Sequence, residues 1–196
     1  SSANSRYNKE GKPFTVLENF DFYVNLSNLK DTSPLLEQSP DILNDFERLL
    51  GGTYEMQDGV VYFTPKGSNT RLHMSESSSS VRSLVILGFY LKYEAAPGHL
   101  LMIDEPELNL HPTNQRRMAR LLARLVNAGI KVFVTTHSDY IVKEFNTLIM
   151  LHEKTPRKEK IREFYGYSAE DSLNYKDVRL YTIGEAKRLR PGAKRK

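Results

Sequence analysis

Residues 100–112 read LLMIDEPELNLHP. Four apolar side chains, Leu100 to Ile103, lead into Asp104 and Glu105, then Pro106 and Glu107. The apolar run is short and bounded by Pro97-Gly98 before it and Pro106 after it, so it reads as a buried β-strand and not as a helix. Carboxylates at the end of such a strand cost desolvation unless a cation or a proton answers them. The stretch therefore predicts a site as well as a strand.

Downstream, Thr113 to Ala128 is amphipathic, with Met118, Leu121, Leu122, Leu125 and Val126 on one stripe, and Gly129 closes it. IKVFVTT predicts a second strand, SDYIVKEF a helix capped by Ser138, and TLIML a third strand. Strand, helix, strand, helix, strand at this spacing predicts an α/β fold with a mostly parallel sheet flanked by helices. In a right-handed crossover, neighbouring parallel strands open their carboxyl ends on one edge, where ligands bind. Asp104, Glu105 and His137 would meet there. Asp104 suits a water-bridged Mg²⁺ ion. Glu105 suits orienting or deprotonating a water, and His137 suits a phosphate oxygen. The plainer alternative has Asp104 capping a turn and His137 as a satisfied strand-end histidine.

Upstream, VRSLVILGFYLKYEAA is apolar nearly all round and predicts a buried helix from Val81 to Ala96, ended by Pro97-Gly98. SESSSS, residues 75–80, precedes it. Five serines in six positions suit a flexible linker. They equally suit an anion site, because a helix N-terminus presents free N–H groups and partial positive charge. TYEM, VVYFT and TRLHM alternate with period two and predict a small antiparallel meander, with Asp58-Gly59 as a hairpin turn. SPDILNDFERLLGG predicts a helix, with Ser39 as its cap, Pro40 in its first turn and Gly51 as its stop. FTVLENFDFYVNLSNL predicts a short helix or strand; beyond His152 the chain turns polar, with VRLYTI as an edge strand and GEAKRL as a terminal helix.

The 196 residues are 39% hydrophobic and 27% charged, which fits a globular protein of one to one and a half domains. No apolar run approaches the roughly 18 residues of a membrane span, no secretory leader is visible, and a cytoplasmic location is expected. Cysteine is absent, which excludes a disulfide framework and thiolate metal sites. The net charge is +4, yet the last ten residues, KRLRPGAKRK, hold six Lys/Arg, so the rest of the chain carries −2. The tail reads first as a solvated end and second as a grip on nucleic acid.

The order of these motifs resembles the C-terminal lobe of ABC-type ATPase heads. More narrowly, IDEPELNLHP with VTTHSDYIV resembles the SMC/RecF-like and overcoming-lysogenization-defect (OLD) predicted ATPases, an AAA/ATP-binding group. The resemblance implies a P-loop NTPase-like fold, with LLMIDE as the Walker B strand. Asp104 would be the Mg²⁺-side carboxylate, Glu105 the catalytic carboxylate and His137 the switch histidine. SSSSVRSL, with Ser77, Ser78, Ser79 and Ser80, stands at the ABC signature; Ser78 would be the signature serine, and Ser79 and Ser80 replace the usual glycines. ELNLHP falls at the D-loop, placing Asn109 and His111 near a dimer seam. ATP and Mg²⁺ are the implied cofactors, sandwiched in a homodimer whose signature serines act in trans.

No G-x-x-x-x-G-K-[ST] run occurs in the chain. The resemblance therefore implies an upstream Walker A lobe, with this chain as the C-terminal portion of a longer protein. Residues 1–50 would be the end of a helical insertion, 51–152 the ATPase lobe, and 153–196 a C-terminal extension with the basic tail. DNA or a defence effector would be a further partner, and a membrane would not. Two alternatives stand beside the ATPase. One is an interaction or regulatory module of the same fold that lost turnover, which Ser79 and Ser80 suit. The other is a metal-dependent nuclease using Asp104, Glu105 and Glu107; after residue 150, SAEDS is its sole acidic candidate.

Overall fold

The computed structural model describes residues 32–181. FTVLENFDFYVNLSNL, GEAKRL and the basic tail lie outside the described residues, as does the end of VRLYTI.

The chain enters through α1 (Pro34–Gln38) and α2 (Asp41–Leu50). Ser33, fully buried, caps α1 by accepting from the Leu36 amide, and its hydroxyl donates to the Leu91 carbonyl at 2.6 Å. Ser39 does not cap α2. Ser39 instead closes α1, its amide donating to the Leu35 carbonyl, and Pro40 takes the cap position of α2 without a side-chain bond. Gly51 ends α2 at φ 80, the left-handed conformation that glycine adopts without steric cost. An antiparallel meander follows: β1 (Gly52–Gln57), β2 (Val60–Pro65) and the two-residue β3 (Leu72–His73). Asp58 and Gly59, at φ 52 and 76, form the tight turn between β1 and β2.

Helix α3 (Ser79–Phe89) begins two residues before the expected Val81, because the Ser78 hydroxyl accepts from the Val81 amide. It passes into a π-helical turn over Tyr90–Glu94. Then come β4 (Leu100–Asp104), α4 (Pro112–Asn127), β5 (Lys131–Thr135) and α5 (Asp139–Met150). Strands β4 and β5 pair in parallel from Leu100↔Lys131 to Asp104↔Thr135. The architecture is mixed α/β.

Further expectations change. TLIML is not a third strand; it is the last part of α5. Thr147 and Ile149 favour strands locally, but no Gly or Pro interrupts the helix. Ile141, Glu144 and Leu148 recur at helical spacing on the buried face, and Leu148 packs beside Ala123 of α4. Packing overrides β propensity here. The parallel sheet therefore has two strands among the described residues. VRLYTI forms no strand as far as Tyr181. The polar stretch after His152 instead folds as α6 (Pro156–Tyr165), with Thr155 as cap, Pro156 at the first turn and Gly166 as the stop. Strand β4 is buried on one face only. Leu101, Ile103, Val132 and Val134 pack on the core, while Leu100 (62% exposed), Met102 (65%) and Phe133 (51%) face outward.

One core joins α1 to α4, with Phe46, Phe89, Leu91, Met118, Leu121, Leu122 and Leu125 almost fully buried. Tyr54 of β1 packs edge-on between Phe46, at 5.8 Å, and Phe89, at 5.0 Å. Gly88 lets α3 approach these rings, since a Cβ there would lie 2.5 Å from Phe46 and 2.7 Å from Tyr54. Arg124 of α4 ties the C-terminal segment down. Its Nε donates to Asp171 at 2.7 Å, its Nη2 to Ser168 at 2.8 Å, and its Nη1 to Asp45. Burial pushes the Asp45 carboxyl up, more than Arg124 and Arg48 pull it down.

Gly88→Ala should destabilise the fold by about 1–3 kcal/mol through overpacking, read as a lower urea midpoint. Arg124→Ala should cost about 3 kcal/mol, because it strands the buried Asp171 carboxylate, read by thermal unfolding.

Candidate functional site

The carboxyl ends of β4 and β5 lie side by side because the two strands are in register. Asp104 pairs with Thr135, so the residues after each strand emerge on one edge. The Thr135 hydroxyl donates to Asp104 Oδ1. The Glu105 amide donates to the Thr135 carbonyl at 3.1 Å and approaches its hydroxyl oxygen at 3.2 Å. These bonds hold Glu105 at φ 46, a left-handed conformation uncommon outside glycine. Backbone held in such a region by its surroundings is typical of functional loops.

Glu105 Oε1 lies 3.3 Å from His137 Nε2. The His137 side chain is 89% exposed and that of Glu105 34%, so both reach solvent from the same edge. The His137 amide donates to Glu107 Oε1 at 2.7 Å. Glu105 and His137 are thus in contact, with Asp104 beside Glu105 at the end of β4. Thr135 and Glu107 complete the arrangement. Thr135 was legible only as part of the TTH run, and its role depends on the strand register. Beside the site, a cleft of about 430 Å³ runs between α3 and β4, lined by Ile86, Tyr90, Met102, Asp104, Glu105 and Leu108.

The loop from Glu105 to His111 folds on itself. The Leu108 amide donates to the Glu105 carbonyl and the Leu110 amide to the Glu107 carbonyl. Asn109 sits at φ 62 and is exposed. His111 caps α4, its Nδ1 accepting from the Thr113 amide at 3.3 Å.

The four serines divide by position. Ser77 is buried, with its hydroxyl toward the His73 carbonyl at 3.5 Å. Its own carbonyl accepts from Arg82. Ser78 is the cap of α3, and its hydroxyl lies 2.8 Å from that of Ser80. Ser79 is exposed in the first turn. Among the described residues, no hydrogen bond or ion pair joins Ser77, Ser78, Ser79 or Ser80 to Asp104, Glu105 or His137. Ser83, one turn further along α3, lines the same cleft as Asp104 and Glu105.

Asp104 offers one carboxylate, with Oδ1 occupied by Thr135, and no group of three or more His, Asp or Glu is placed to hold a metal among the described residues. That donor set fits Mg²⁺ carried in with a phosphate ligand, which needs one or two carboxylates and keeps its waters. It does not fit a protein cage. Among the described residues, no helix is long and apolar enough to cross a membrane.

A family model described as an AAA ATPase domain matches residues 3–142. Among solved structures, the chain is similar to one described as structural biochemistry of ATP-driven dimerization and DNA-stimulated activation of SMC ATPases. Identity is 18%, the TM-score is 0.41, and the match covers 56% of this chain and 74% of that one. It is also similar to an SMC head domain from Thermotoga maritima, at 18% identity and a TM-score of 0.37, covering 68% of this chain and 55% of that one. No curated protein matches the chain.

Thr135→Val removes the hydroxyl that meets both Asp104 and the Glu105 amide while keeping the side-chain shape. It should cost about 1 kcal/mol in urea unfolding, and Thr135→Ser should recover most of it.

Proposed function

We propose, for a chain that belongs to the AAA ATPase domain family, that it forms the C-terminal lobe of an ATP-hydrolysing head of the ABC type, akin to SMC, RecF and OLD proteins. The observation that carries this reading is the meeting of Asp104, Glu105 and His137 on one strand-end edge, with Glu105 3.3 Å from His137.

Residues 51–152 would be the lobe, residues 1–50 the end of a helical insertion and residues 153–196 an extension. The phosphate-binding loop would come from a segment outside these 196 residues, since none of them carries the motif. The outward face of β4 and β5, with Leu100, Met102 and Phe133 exposed, supports that expectation. Parallel strands are normally covered on both faces, and among the described residues this apolar side is exposed.

Glu105, fixed by the Thr135 carbonyl and hydroxyl, takes a proton from a water directed at the terminal phosphate. His137 Nε2, beside Glu105 Oε1, orients that carboxylate and presents an imidazole to the phosphate. Asp104 keeps Oδ2 for a metal-bound water while Thr135 occupies Oδ1. Mg²⁺ bound with ATP supplies neutralisation of phosphate charge at this edge. The Ser78 cap and the first turn of α3 would meet a nucleotide held by a second head. ATP would then clamp two copies together, and hydrolysis would release them to serve DNA-related work or phage defence.

Glu105→Gln keeps the shape and removes the base. In the full chain together with a phosphate-loop lobe, it should lower kcat for ATP about 10²–10³-fold. The ATP-dependent dimer should persist longer in size-exclusion chromatography. Parental turnover in this variant refutes the assignment of Glu105. A parent that binds ATP and dimerises without hydrolysis supports the alternative, an interaction module of the same fold.

A further inference from the structure

Two side chains that the proposed chemistry does not use tie the Glu105 loop to the His137 loop. Glu107 Oε1 accepts from the His137 amide at 2.7 Å across 30 residues of sequence. Gln115, in the first turns of α4, bridges the same two segments. Its Nε2 donates to the Leu110 carbonyl at 2.9 Å, and its Oε1 accepts from the Ser138 hydroxyl at 2.5 Å. One brace thus holds the histidine's own amide, and the other holds its neighbour.

The chemistry of Glu107 argues against a merely stabilising role. Its second oxygen, Oε2, is buried and has no hydrogen-bond partner among the described residues. A buried carboxylate oxygen without a donor is a cost that an amide side chain at this position would lessen. The retained charge strengthens the single bond that is made, because a carboxylate acceptor holds an N–H more tightly than a neutral oxygen. That bond fixes the place from which the His137 imidazole reaches Glu105. The loop between the braces is itself constrained. Glu105 and Asn109 both have positive φ, and carbonyls of Glu105 and Glu107 accept within the loop. A shift of the segment 105–110 is therefore passed to His137 through Glu107, and to Ser138 through Gln115.

We propose that Glu107 is a positioning residue that sets the His137 loop against Glu105 and couples the loop through Asn109 to the histidine, with Gln115 as the second brace. This inference rests on the ATPase reading of Glu105 and His137 above.

The test uses the full-length protein with its phosphate-loop lobe and three variants: Glu107→Ala, Glu107→Gln and Gln115→Leu. ATP affinity, kcat and amide hydrogen exchange of the peptide containing His137 are measured for each. Glu107→Ala should lower kcat about 10–100-fold, as a displaced catalytic geometry does. ATP affinity should stay within about twofold, and the His137 peptide should exchange about tenfold faster for the lost bond. Glu107→Gln keeps an acceptor oxygen and should recover most of both losses. Gln115→Leu should give a smaller loss of the same kind, and it stands in if Glu107→Ala fails to fold. Unchanged kcat or unchanged exchange in Glu107→Ala overturns the proposal, as does a loss confined to ATP affinity. A parent inert toward ATP, or a Glu105→Gln variant as active as the parent, removes the ATPase reading instead. The exchange measurement then decides the brace alone, because it reads the His137 amide directly.

Discussion

The pairing of Asp104 with Thr135 at the end of the two parallel strands governs the candidate site. It sets the Thr135 hydroxyl against the Asp104 carboxylate and the Thr135 carbonyl against the Glu105 amide. Glu105 is turned by those bonds into a positive φ, so its carboxylate leaves the strand toward His137 and not along it. A slip of one residue in this register would send alternate side chains to the other face of the sheet and dissolve the arrangement. The site is thus a property of strand alignment before it is a property of any side chain.

That alignment is held from one side. The inward residues Leu101, Ile103, Val132 and Val134 rest on a core built mainly by α2, α3 and α4. Gly88 allows α3 to sit close to Phe46 and Tyr54. Arg124 binds α4 to Asp45 ahead of it and to Ser168 and Asp171 behind it. The outward residues Leu100, Met102 and Phe133 are exposed among the described residues. The same sheet that organises the carboxylates therefore presents an apolar face, consistent with the proposed lobe outside these residues.

The serine run opens α3. Ser78 serves α3 as its cap, Ser77 faces inward, and Ser79 is exposed. Within one copy, hydrogen bonds from Glu107 and Gln115 tie the acidic loop to the histidine loop.

Local signals in the sequence were enough for much of this. Apolar runs ending at Asp104 and at Thr136 identified β4 and β5, the helical stripe from Met118 to Val126 identified α4, and Asp58-Gly59 identified the hairpin. The residue types at the two strand ends named the candidate site. The signals failed where partners lie far apart in sequence. TLIML has strand-like residues, yet Leu148 meets Ala123 only if α5 continues. Thr155, Pro156 and Gly166 punctuate α6 plainly, but its weak apolar stripe hid it. The sequence by itself determined which groups stand at the strand ends, because caps, breakers and periodicity act over a few residues. Only the tertiary structure decided that Thr135, Glu107 and Gln115 bond to the residues of the candidate site and that one face of β4 is exposed among the described residues. Those facts depend on strand register and helix packing across 20 to 30 residues, over which a linear pattern carries no distance.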